Sequence, residues 1–347
     1  IYLDIVCGKS AQQILENSII NGTKDENLQV SSVITNPSTG AVVALTGGMD
    51  YSKSQYNRAL YSKRQVGSTM KTFLYYGALE NNLTMSSTFT SEATTFNLSN
   101  NKTYTPTNYG DKYANKAITM AAAVAFSDNI YAIKTNLFLG VDKMISVARI
   151  AGITNDLNEV PSLALGTSEL NVLDYANGYN TFASGGYRND LYFIEKVEDQ
   201  NGNILYEHKK ESKLVLNPNY VYILNEMLTS TTNKVFKDYT TPTGLMVAGK
   251  LSRKYAMKSG TTNTDSVVVG YNKDLMMMIW MGYDNNEDIP ITTSTNVKNI
   301  WADTMEAILK DKESNWYETP ENVIALSLDA ISGEPTTDQD KSTLFYY

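Results

Sequence analysis

The chain has 347 residues, 42% of them hydrophobic, so it is long enough to bury one large core or two modest ones. Its formal net charge of −8 and the lack of any Lys/Arg-rich cluster exclude a nucleic-acid binder with the usual basic face. No run approaches the roughly 18 apolar residues that a membrane helix needs, and no signal peptide opens the sequence. We expect any membrane anchor of a natural parent to lie outside this chain.

A single cysteine, Cys7, and a single histidine, His208, restrict the chemistry. One cysteine cannot form an internal disulfide, and the two residues together exclude nearly all His/Cys metal sites and histidine triads. His208 lies in the charged run 207–211, which is typical of a solvated loop. Covalent chemistry would therefore need a lysine or a carboxylate as its base. The sequence predicts neither a metal nor a cofactor.

The first part of the chain predicts a helix, a β-hairpin and a second helix. Residues 1–27 have an amphipathic helical pattern and are interpreted as a linker segment of an incomplete upstream region. Two β-branched runs, 30–35 and 41–45, flank a turn with Pro and Gly and indicate a hairpin. A helix is predicted to start at Ser68, and residues 83–113, rich in Thr, Ser and Asn, are typical of a long loop.

Helices are predicted to fill the middle of the chain, and strands to return near its end. Helical spacing occurs in four segments: 116–150, which is interrupted at 126–129, then 170–183, 220–228 and 296–309. Strand alternation occurs in three: 255–260, 266–271 and 275–282. The simplest arrangement of these predicted elements is an α/β fold of the α+β type. It has a central antiparallel sheet of about five strands, two from the first hairpin and three from the last region, with helices covering both faces.

The first candidate for chemistry follows a glycine. Gly67 can adopt backbone angles that other residues avoid, so the chain can turn there and begin a helix at Ser68. Residues three apart share a helix face, which brings the Lys71 amine within reach of the Ser68 hydroxyl. The Ser68 N–H is also an unpaired donor of the first turn. The pattern supplies a nucleophile, a candidate base and half an oxyanion hole. A second Ser-x-x-Lys, Ser99 to Lys102, lacks the glycine and the apolar run.

Ser127 and Asn129 stand between two predicted helices, where a hydroxyl and an amide can project into a cleft. Alone this motif is weak, because the Ser-x-Asn form also occurs at 99–101.

A third motif lies at a strand end, where Lys258, Ser259, Gly260, Thr261 and Thr262 follow one another. Alternation places Lys258 on one face with Gly260, and the glycine allows a substrate backbone to lie close to the strand. The hydroxyls of Ser259 and Thr261 beside a lysine make a carboxylate receptor.

In the order Ser-x-x-Lys, Ser-x-Asn and Lys-Ser-Gly, the three motifs resemble those of the serine penicillin-recognising enzymes. The resemblance covers residues 28–347 and narrows to the transpeptidase domain of class A penicillin-binding proteins. Six further segments look like that family's: 47–51, 55–59, 64–65, 161–167, 181–186 and 280–284.

Several positions depart from the family's pattern. Val66 and Thr72 stand where the family usually has proline, and Ser259 stands where it has threonine. A Trp-Phe pair of the family is replaced by valines after Asp265 and Ser266. Ser259 keeps the hydroxyl of the threonine that it replaces, whereas the loss of the aromatic pair alters the expected shape of the substrate-binding groove.

The resemblance implies a catalytic role for five residues. Ser68 would be the nucleophile and Lys71 its base, Ser127 a proton relay to the leaving amine, Asn129 a hydrogen-bonding group for the substrate amide, and Lys258 a source of positive potential. The base must be neutral to act, so its pKa must fall by about three units from ~10.4. Burial and the nearby Lys258 are the expected causes.

The resemblance also implies a substrate site. Ser259, Gly260, Thr261 and Thr262 would bind the substrate, with the hydroxyls of Ser259 and Thr261 on its terminal carboxylate. The backbone N–H groups of Ser68 and Thr261 would form the oxyanion hole.

The implied reaction is acyl transfer from D-Ala-D-Ala stem peptides of peptidoglycan to an acceptor amine, with covalent inhibition by β-lactam antibiotics. The implied location is the extracytoplasmic face of a bacterial membrane, with partners among cell-wall synthesis or division proteins. A D,D-carboxypeptidase, a β-lactamase and a penicillin-sensing domain remain as alternatives. The β-lactamase is disfavoured because Thr167 stands where that class places its deacylating glutamate, and a structural role is expected for the nearby Glu169.

Overall fold

The computed structural model describes residues 2–5, 8–98 and 102–347, so Cys7 and Ser99 lie outside the described residues. The helices are α1 (Lys9–Gly22), α2 (Arg58–Tyr61), α3 (Lys71–Glu80), α4 (Met120–Phe126), α5 (Asn129–Leu139), α6 (Val141–Ala151), α7 (Val172–Ala183), α8 (Pro218–Leu228), α9 (Ile291–Ser294) and α10 (Asn296–Leu309). None of these helices combines the length and the hydropathy that a bilayer span requires.

The strands, in chain order, are β1 (Tyr2–Ile5), β2 (Gln29–Thr35), β3 (Val42–Thr46), β4 (Arg64–Gln65), β5 (Thr88–Ser91), β6 (Phe96–Asn97), β7 (Thr103–Tyr104), β8 (Lys116–Thr119), β9 (Glu169–Leu170), β10 (Tyr187–Asn189), β11 (Ile194–Glu198), β12 (Ile204–Glu207), β13 (Ser212–Leu214), β14 (Ala256–Thr261), β15 (Asp265–Tyr271), β16 (Met276–Gly282), β17 (Ala325–Asp329) and β18 (Ser342–Tyr346).

Five strands form the central sheet in the order β14-β15-β16-β2-β3, and every neighbouring pair is antiparallel. The predicted hairpin is therefore confirmed as β2 and β3, and the three late strands join it across β16. β14 lies at one edge of the sheet, so it has a hydrogen-bonded neighbour on one side only. That position leaves its other side available to the start of α3.

Alternation along the strands supplies a separate core on each face of the sheet. One face packs its side chains, among them Ala256 and Val267, against α3, α7 and α8. The opposite face, which includes Met257 and Val268, packs against α1 and α10. The predicted covering of both faces by helices is thus confirmed. Because α1 packs in the second core, the segment before residue 28 contributes to this fold, and the division at residue 28 stays a prediction.

Some predicted elements were wrong in detail. Residues 83–113 were expected to be a loop, yet they contain β5, β6 and β7. The helical segment expected from residue 116 begins at Met120, because Lys116–Thr119 form β8, which pairs with β5. Leu170 lies in β9, so α7 begins at Val172. β5 and β9 are short strands stabilised by partners distant in sequence, β8 and β4, which local periodicity cannot reveal, whereas β6 and β7 pair with each other.

Candidate active site

The backbone turns sharply before Ser68, as the sequence predicted. Gly67 has a φ of +56°, in the left-handed region that favours glycine. Residues Gly67–Met70 form a 3₁₀ turn rather than the first turn of the α-helix, and the Lys71 N–H donates to the Ser68 carbonyl as α3 begins. Ser68 is half-buried and one turn from Lys71.

Lys71 is fully buried, and its ammonium group makes three hydrogen bonds. Nζ donates to the Ser127 carbonyl at 2.7 Å, to Ser127 Oγ at 3.3 Å and to Asn129 Oδ1 at 2.6 Å. The structure has no hydrogen bond between Lys71 Nζ and Ser68 Oγ among its described residues, and such bonds often tighten only when substrate binds. The two motifs nevertheless meet, because the lysine of the first lies against both polar residues of the second.

Burial lowers the pKa of Lys71 from 10.5 to about 7, and the negative charge of Asp128 opposes this shift. The lowered pKa of Lys71 and its predicted cause, burial, thus agree with the structure. The repulsion expected from Lys258 acts instead on that residue: burial, Lys71 and Lys298 together hold the pKa of Lys258 well below its usual range.

Ser127 lies between the two lysines of the site. It ends α4 in a left-handed conformation with φ +57°, which is unusual for a residue with a side chain. Its Oγ accepts hydrogen bonds from Lys258 Nζ at 2.9 Å and from Lys71 Nζ at 3.3 Å. Because both ammonium groups donate to this oxygen, the hydroxyl proton is left to point elsewhere. A hydroxyl in this position can pass a proton between a lysine and a third group.

A buried carboxylate fixes the turn that carries Ser127. Asp128 caps α5 by accepting from the Tyr131 N–H at 2.7 Å, and its other oxygen accepts from Asn108 Nδ2 at 2.6 Å and Tyr239 OH at 2.8 Å. Ser91 Oγ donates to the same oxygen. These partners come from three separate parts of the chain, so the network holds the Ser-x-Asn turn rigidly against its surroundings.

Asn108 and Thr107 position Asn129. The Asn108 side-chain oxygen accepts from the Asn129 N–H at 2.7 Å, and Asn129 Nδ2 donates to the Thr107 carbonyl at 2.7 Å. The sequence analysis assigned no role to Asp128, Asn108 or Tyr239. Asp128 is the variable middle residue of the Ser-x-Asn motif, and no local pattern marks Asn108 or Tyr239. The composition of 83–113, rich in polar residues, was the available signal that this segment serves a polar site.

The edge strand β14 approaches the start of α3 very closely. A Cβ on Gly260 would lie 2.4 Å from the Val66 carbonyl and 2.9 Å from the Ser68 backbone nitrogen. A Cβ on Gly67 would likewise lie 3.0 Å from the Thr261 nitrogen. The backbone nitrogens of Ser68 and Thr261, predicted to form the oxyanion hole, are thus brought to neighbouring places on either side of this contact. Glycine is required at both positions because a larger residue would separate them.

The hydroxyls of Ser259 and Thr261 have different surroundings from the hydroxyl of Thr262. Ser259 and Thr261 alternate to the face of β14 opposite Lys258 and Gly260. The Thr262 hydroxyl donates to Asp265 Oδ2 at 3.1 Å and accepts from the Asp265 N–H at 2.9 Å. It therefore stabilises the turn into β15, and its contact with substrate stays a prediction.

The same turn is fixed to the residues before Gly67 by an ion pair. Arg64 Nε donates to Asp265 Oδ1 at 2.7 Å, and Trp280 Nε1 donates to the same oxygen at 2.8 Å. Arg64 also lies over the Trp280 ring, 4.9 Å from its centroid. These contacts fix the end of β14 against the segment that precedes Ser68, although Arg64 and Asp265 are 201 positions apart in the sequence.

Other candidate residues lie outside this arrangement. Glu169 is exposed on β9, opposite Gln65 of β4, and its structural role stays a prediction. His208 stacks on Tyr192 with ring centroids 3.6 Å apart. No group of three or more His, Cys, Asp or Glu residues is arranged to hold a metal ion within residues 2–5, 8–98 and 102–347.

Solved structures share this fold. Penicillin-binding protein 1A from Haemophilus influenzae superposes with a TM-score of 0.83 at 24% identity, over 92% of this chain and 53% of that one. The PonA1 protein from Mycobacterium tuberculosis, in complex with penicillin V, superposes with a TM-score of 0.78 at 20% identity, over 96% of this chain and 90% of that one. At these identities the likeness establishes the fold, which is that of penicillin-binding transpeptidase domains.

The sequence itself places the chain in that family. The family model "Penicillin binding protein transpeptidase domain" matches residues 30–300, so the chain belongs to this family. It is 40% identical over 330 residues to penicillin-binding protein 2D of Bacillus subtilis (strain 168), covering 94% of this chain and 48% of the relative. It is 30% identical over 311 residues to penicillin-binding protein 1A of Neisseria meningitidis, covering 86% of this chain and 38% of that relative. The chain thus spans less than half the length of these two relatives, and the resemblance to penicillin-binding transpeptidases is confirmed.

Proposed function

We propose that this domain is a serine D,D-transpeptidase that forms an acyl-enzyme on Ser68. Its donor would be the D-Ala-D-Ala end of a peptidoglycan stem peptide, and its acceptor an amine of a neighbouring strand. The observation that carries the proposal is the position of Ser127 Oγ, hydrogen-bonded to both Lys71 and Lys258. A hydroxyl shared by two lysines of lowered pKa fits a proton relay between the nucleophile's base and the leaving amine.

In the first half of the reaction, Ser68 Oγ attacks the carbonyl carbon between the two D-alanines. Neutral Lys71 takes the hydroxyl proton, and the N–H groups of Ser68 and Thr261 donate to the carbonyl oxygen as it becomes negative. The C–N bond then breaks, and Ser127 hands a proton to the nitrogen of the departing D-alanine, with Lys71 replacing that proton. The products are a free D-alanine and an ester at Ser68.

In the second half, an acceptor amine attacks the ester carbonyl. Its excess proton returns through Ser127 and Lys71, the Ser68 oxygen leaves and takes a proton, and a new amide bond joins the two peptides. Asn129 hydrogen-bonds the donor amide, and Lys258 with the hydroxyls of Ser259 and Thr261 binds the terminal carboxylate. A β-lactam ring presents a similar amide and carboxylate, so it would acylate Ser68 and leave slowly.

A donor peptide ending in D-Ala-D-Ala, incubated with and without an added amine acceptor, tests the proposal. We expect release of D-alanine and an acceptor-containing product, both absent in Ser68→Ala. Release of D-alanine with only the shortened acid as product would identify a D,D-carboxypeptidase instead. Stoichiometric adduct with a β-lactam and no D-alanine release would identify a sensor.

The β-lactamase alternative makes a different prediction about the ester. With Thr167 at the position of the deacylating glutamate and Glu169 exposed on β9, no carboxylate is assigned to activate water. We therefore expect nitrocefin to be consumed once per enzyme molecule, and the acyl-enzyme to persist for many minutes. Steady turnover of nitrocefin, lost in Ser68→Ala, would overturn the transpeptidase in favour of the lactamase.

The parent protein is proposed to act at the extracytoplasmic face of a bacterial membrane, where peptidoglycan is assembled. Stem peptides and β-lactams are the expected ligands, and proteins of cell-wall synthesis or division the expected partners. Labelling of intact cells of the source with a β-lactam that does not cross the membrane tests this location, because a cytoplasmic domain would stay unlabelled.

A further inference from the structure

A third lysine lies beside the proposed carboxylate site. Lys298, in the first turn of α10, is close enough to Lys258 that its charge helps to lower the pKa of Lys258. Its Nζ donates to the Thr243 carbonyl at 2.7 Å. The Thr243 N–H in turn donates to the Ala125 carbonyl at 2.9 Å, in the last turn of the helix that ends at Ser127. Lys298 is thus anchored next to the catalytic turn, although it belongs to a helix on the other face of the sheet.

The helix that carries Lys298 packs on the side of the sheet to which Ser259 and Thr261 alternate. Met257, on that side of β14, shares a core with α10 residues. Ser266, the register partner of Thr261, donates its hydroxyl to the Ser294 carbonyl at 2.8 Å. Lys298 follows Ser294 by four residues, about one helical turn. The two hydroxyls of the third motif therefore have a lysine on their own side of the strand, while Lys258 approaches from the opposite side.

Lys258 and Lys298 form no ion pair with a carboxylate within the part of the chain that the structure describes. Lys258 and Lys298 instead donate to Ser127, Ser259 and Thr243 oxygens. Burial disfavours the charged form of Lys258, so a carboxylate bound beside these lysines would favour that form, and the poorly screening surroundings would strengthen the attraction.

We propose that Lys298 is a specificity-determining residue that, with Lys258, binds the carboxylate of the donor peptide and of β-lactams, one lysine from each face of β14. This inference rests on the proposed acylation of Ser68. It predicts that Lys298 acts only on ligands that carry the carboxylate. A residue that merely tethers the Thr243 segment would affect every ligand alike, because it would act through the shape of the Ser127 turn.

Benzylpenicillin and its methyl ester separate the two roles, since only the acid carries the negative charge. The second-order acylation rate constant of each is measured for the wild-type protein, Lys298→Gln and Lys298→Arg. Glutamine keeps an N–H donor for the Thr243 carbonyl without the charge, and arginine keeps the charge. We expect Lys298→Gln to lower the rate with the acid about tenfold and leave the rate with the ester unchanged, and Lys298→Arg to restore most of the loss.

Lys250→Gln is the matched control, because Lys250 is an exposed lysine paired with Asp303 of the same helix as Lys298. It should change neither rate. Equal losses with acid and ester in Lys298→Gln, or no loss with either, would overturn the role of Lys298 while leaving acylation of Ser68 intact. Failure of the wild-type protein to form an adduct at Ser68 would instead refute the proposed function and this inference with it.

Discussion

The protonation of Lys71 gives a quantitative test of its role as the base. A lysine with a pKa of 10.5 would be neutral in about one molecule in three thousand at pH 7, whereas a pKa of about 7 makes the amine neutral in about half of the molecules. The difference corresponds to about 4 to 5 kcal/mol of destabilised charge. Burial of the side chain at 0% exposure is its main cause.

Because only the neutral amine can take the Ser68 proton, acylation should rise with pH and level off above a midpoint near 7. The second-order rate constant for acylation by benzylpenicillin, measured from pH 5 to 9, reports this pKa in the free enzyme. We expect about one tenth of the plateau rate at pH 6 and about one hundredth at pH 5. A midpoint above pH 9 would mean that Lys71 keeps an ordinary pKa, and a rate independent of pH would remove it from the base role.

Three further predictions concern the same groups. Lys71→Arg should nearly abolish acylation while the fold persists, because guanidinium stays protonated; the acylation rate and a circular dichroism melt check this. Lys71→Met should have a higher free energy of unfolding than wild type at pH 7, because methionine removes the buried amine. In wild type the pKa of Lys71 is lower in the folded than in the unfolded state, so the unfolded chain binds more protons between about pH 7 and 10.5. The free energy of unfolding of the wild type should therefore rise with pH across that window. Gly260→Ala should slow acylation at least about a hundredfold, because its Cβ would meet the Val66 carbonyl at 2.4 Å.

Each of these has a control or a contradicting outcome. A Lys71→Arg variant that acylates normally would require another base. Urea unfolding at pH 7.5, 8.5 and 9.5 should give a slope with pH that is steeper in wild type than in Lys71→Met by up to about 1.4 kcal/mol per pH unit, and parallel slopes would contradict the buried charge. Gly249→Ala is the control for the glycine, because nothing lies within 4 Å of its added Cβ. Equal activity of the two glycine variants would contradict the close contact.

Much of the architecture followed from local patterns. The strands β14, β15 and β16 were predicted to within a residue or two because their alternation reflects burial on two faces, and α10 was predicted with both of its ends. Gly67 was predicted to make the turn before Ser68, and its positive φ agrees. These features depend on residues close together in the chain.

The features that were missed depend on distant partners. β5 requires β8 as its partner, and β9 requires β4. The hydrogen bonds of Lys71 to Ser127 and Asn129 depend on how two helices meet, which spacing within either motif cannot define. The position of Lys298 beside Lys258 likewise arises only when α10 packs on the sheet. Side-chain partners across a fold are set by tertiary packing, so the sequence supplied the candidate groups but not their contacts.

The most direct test of the central claim is the intact mass of the protein after exposure to benzylpenicillin, followed by peptide mapping of the adduct. We predict one covalent addition, located on Ser68, that disappears in Ser68→Ala and remains in Ser99→Ala. An adduct that survives Ser68→Ala, or one that maps to another residue, would contradict the assignment of Ser68 as the nucleophile.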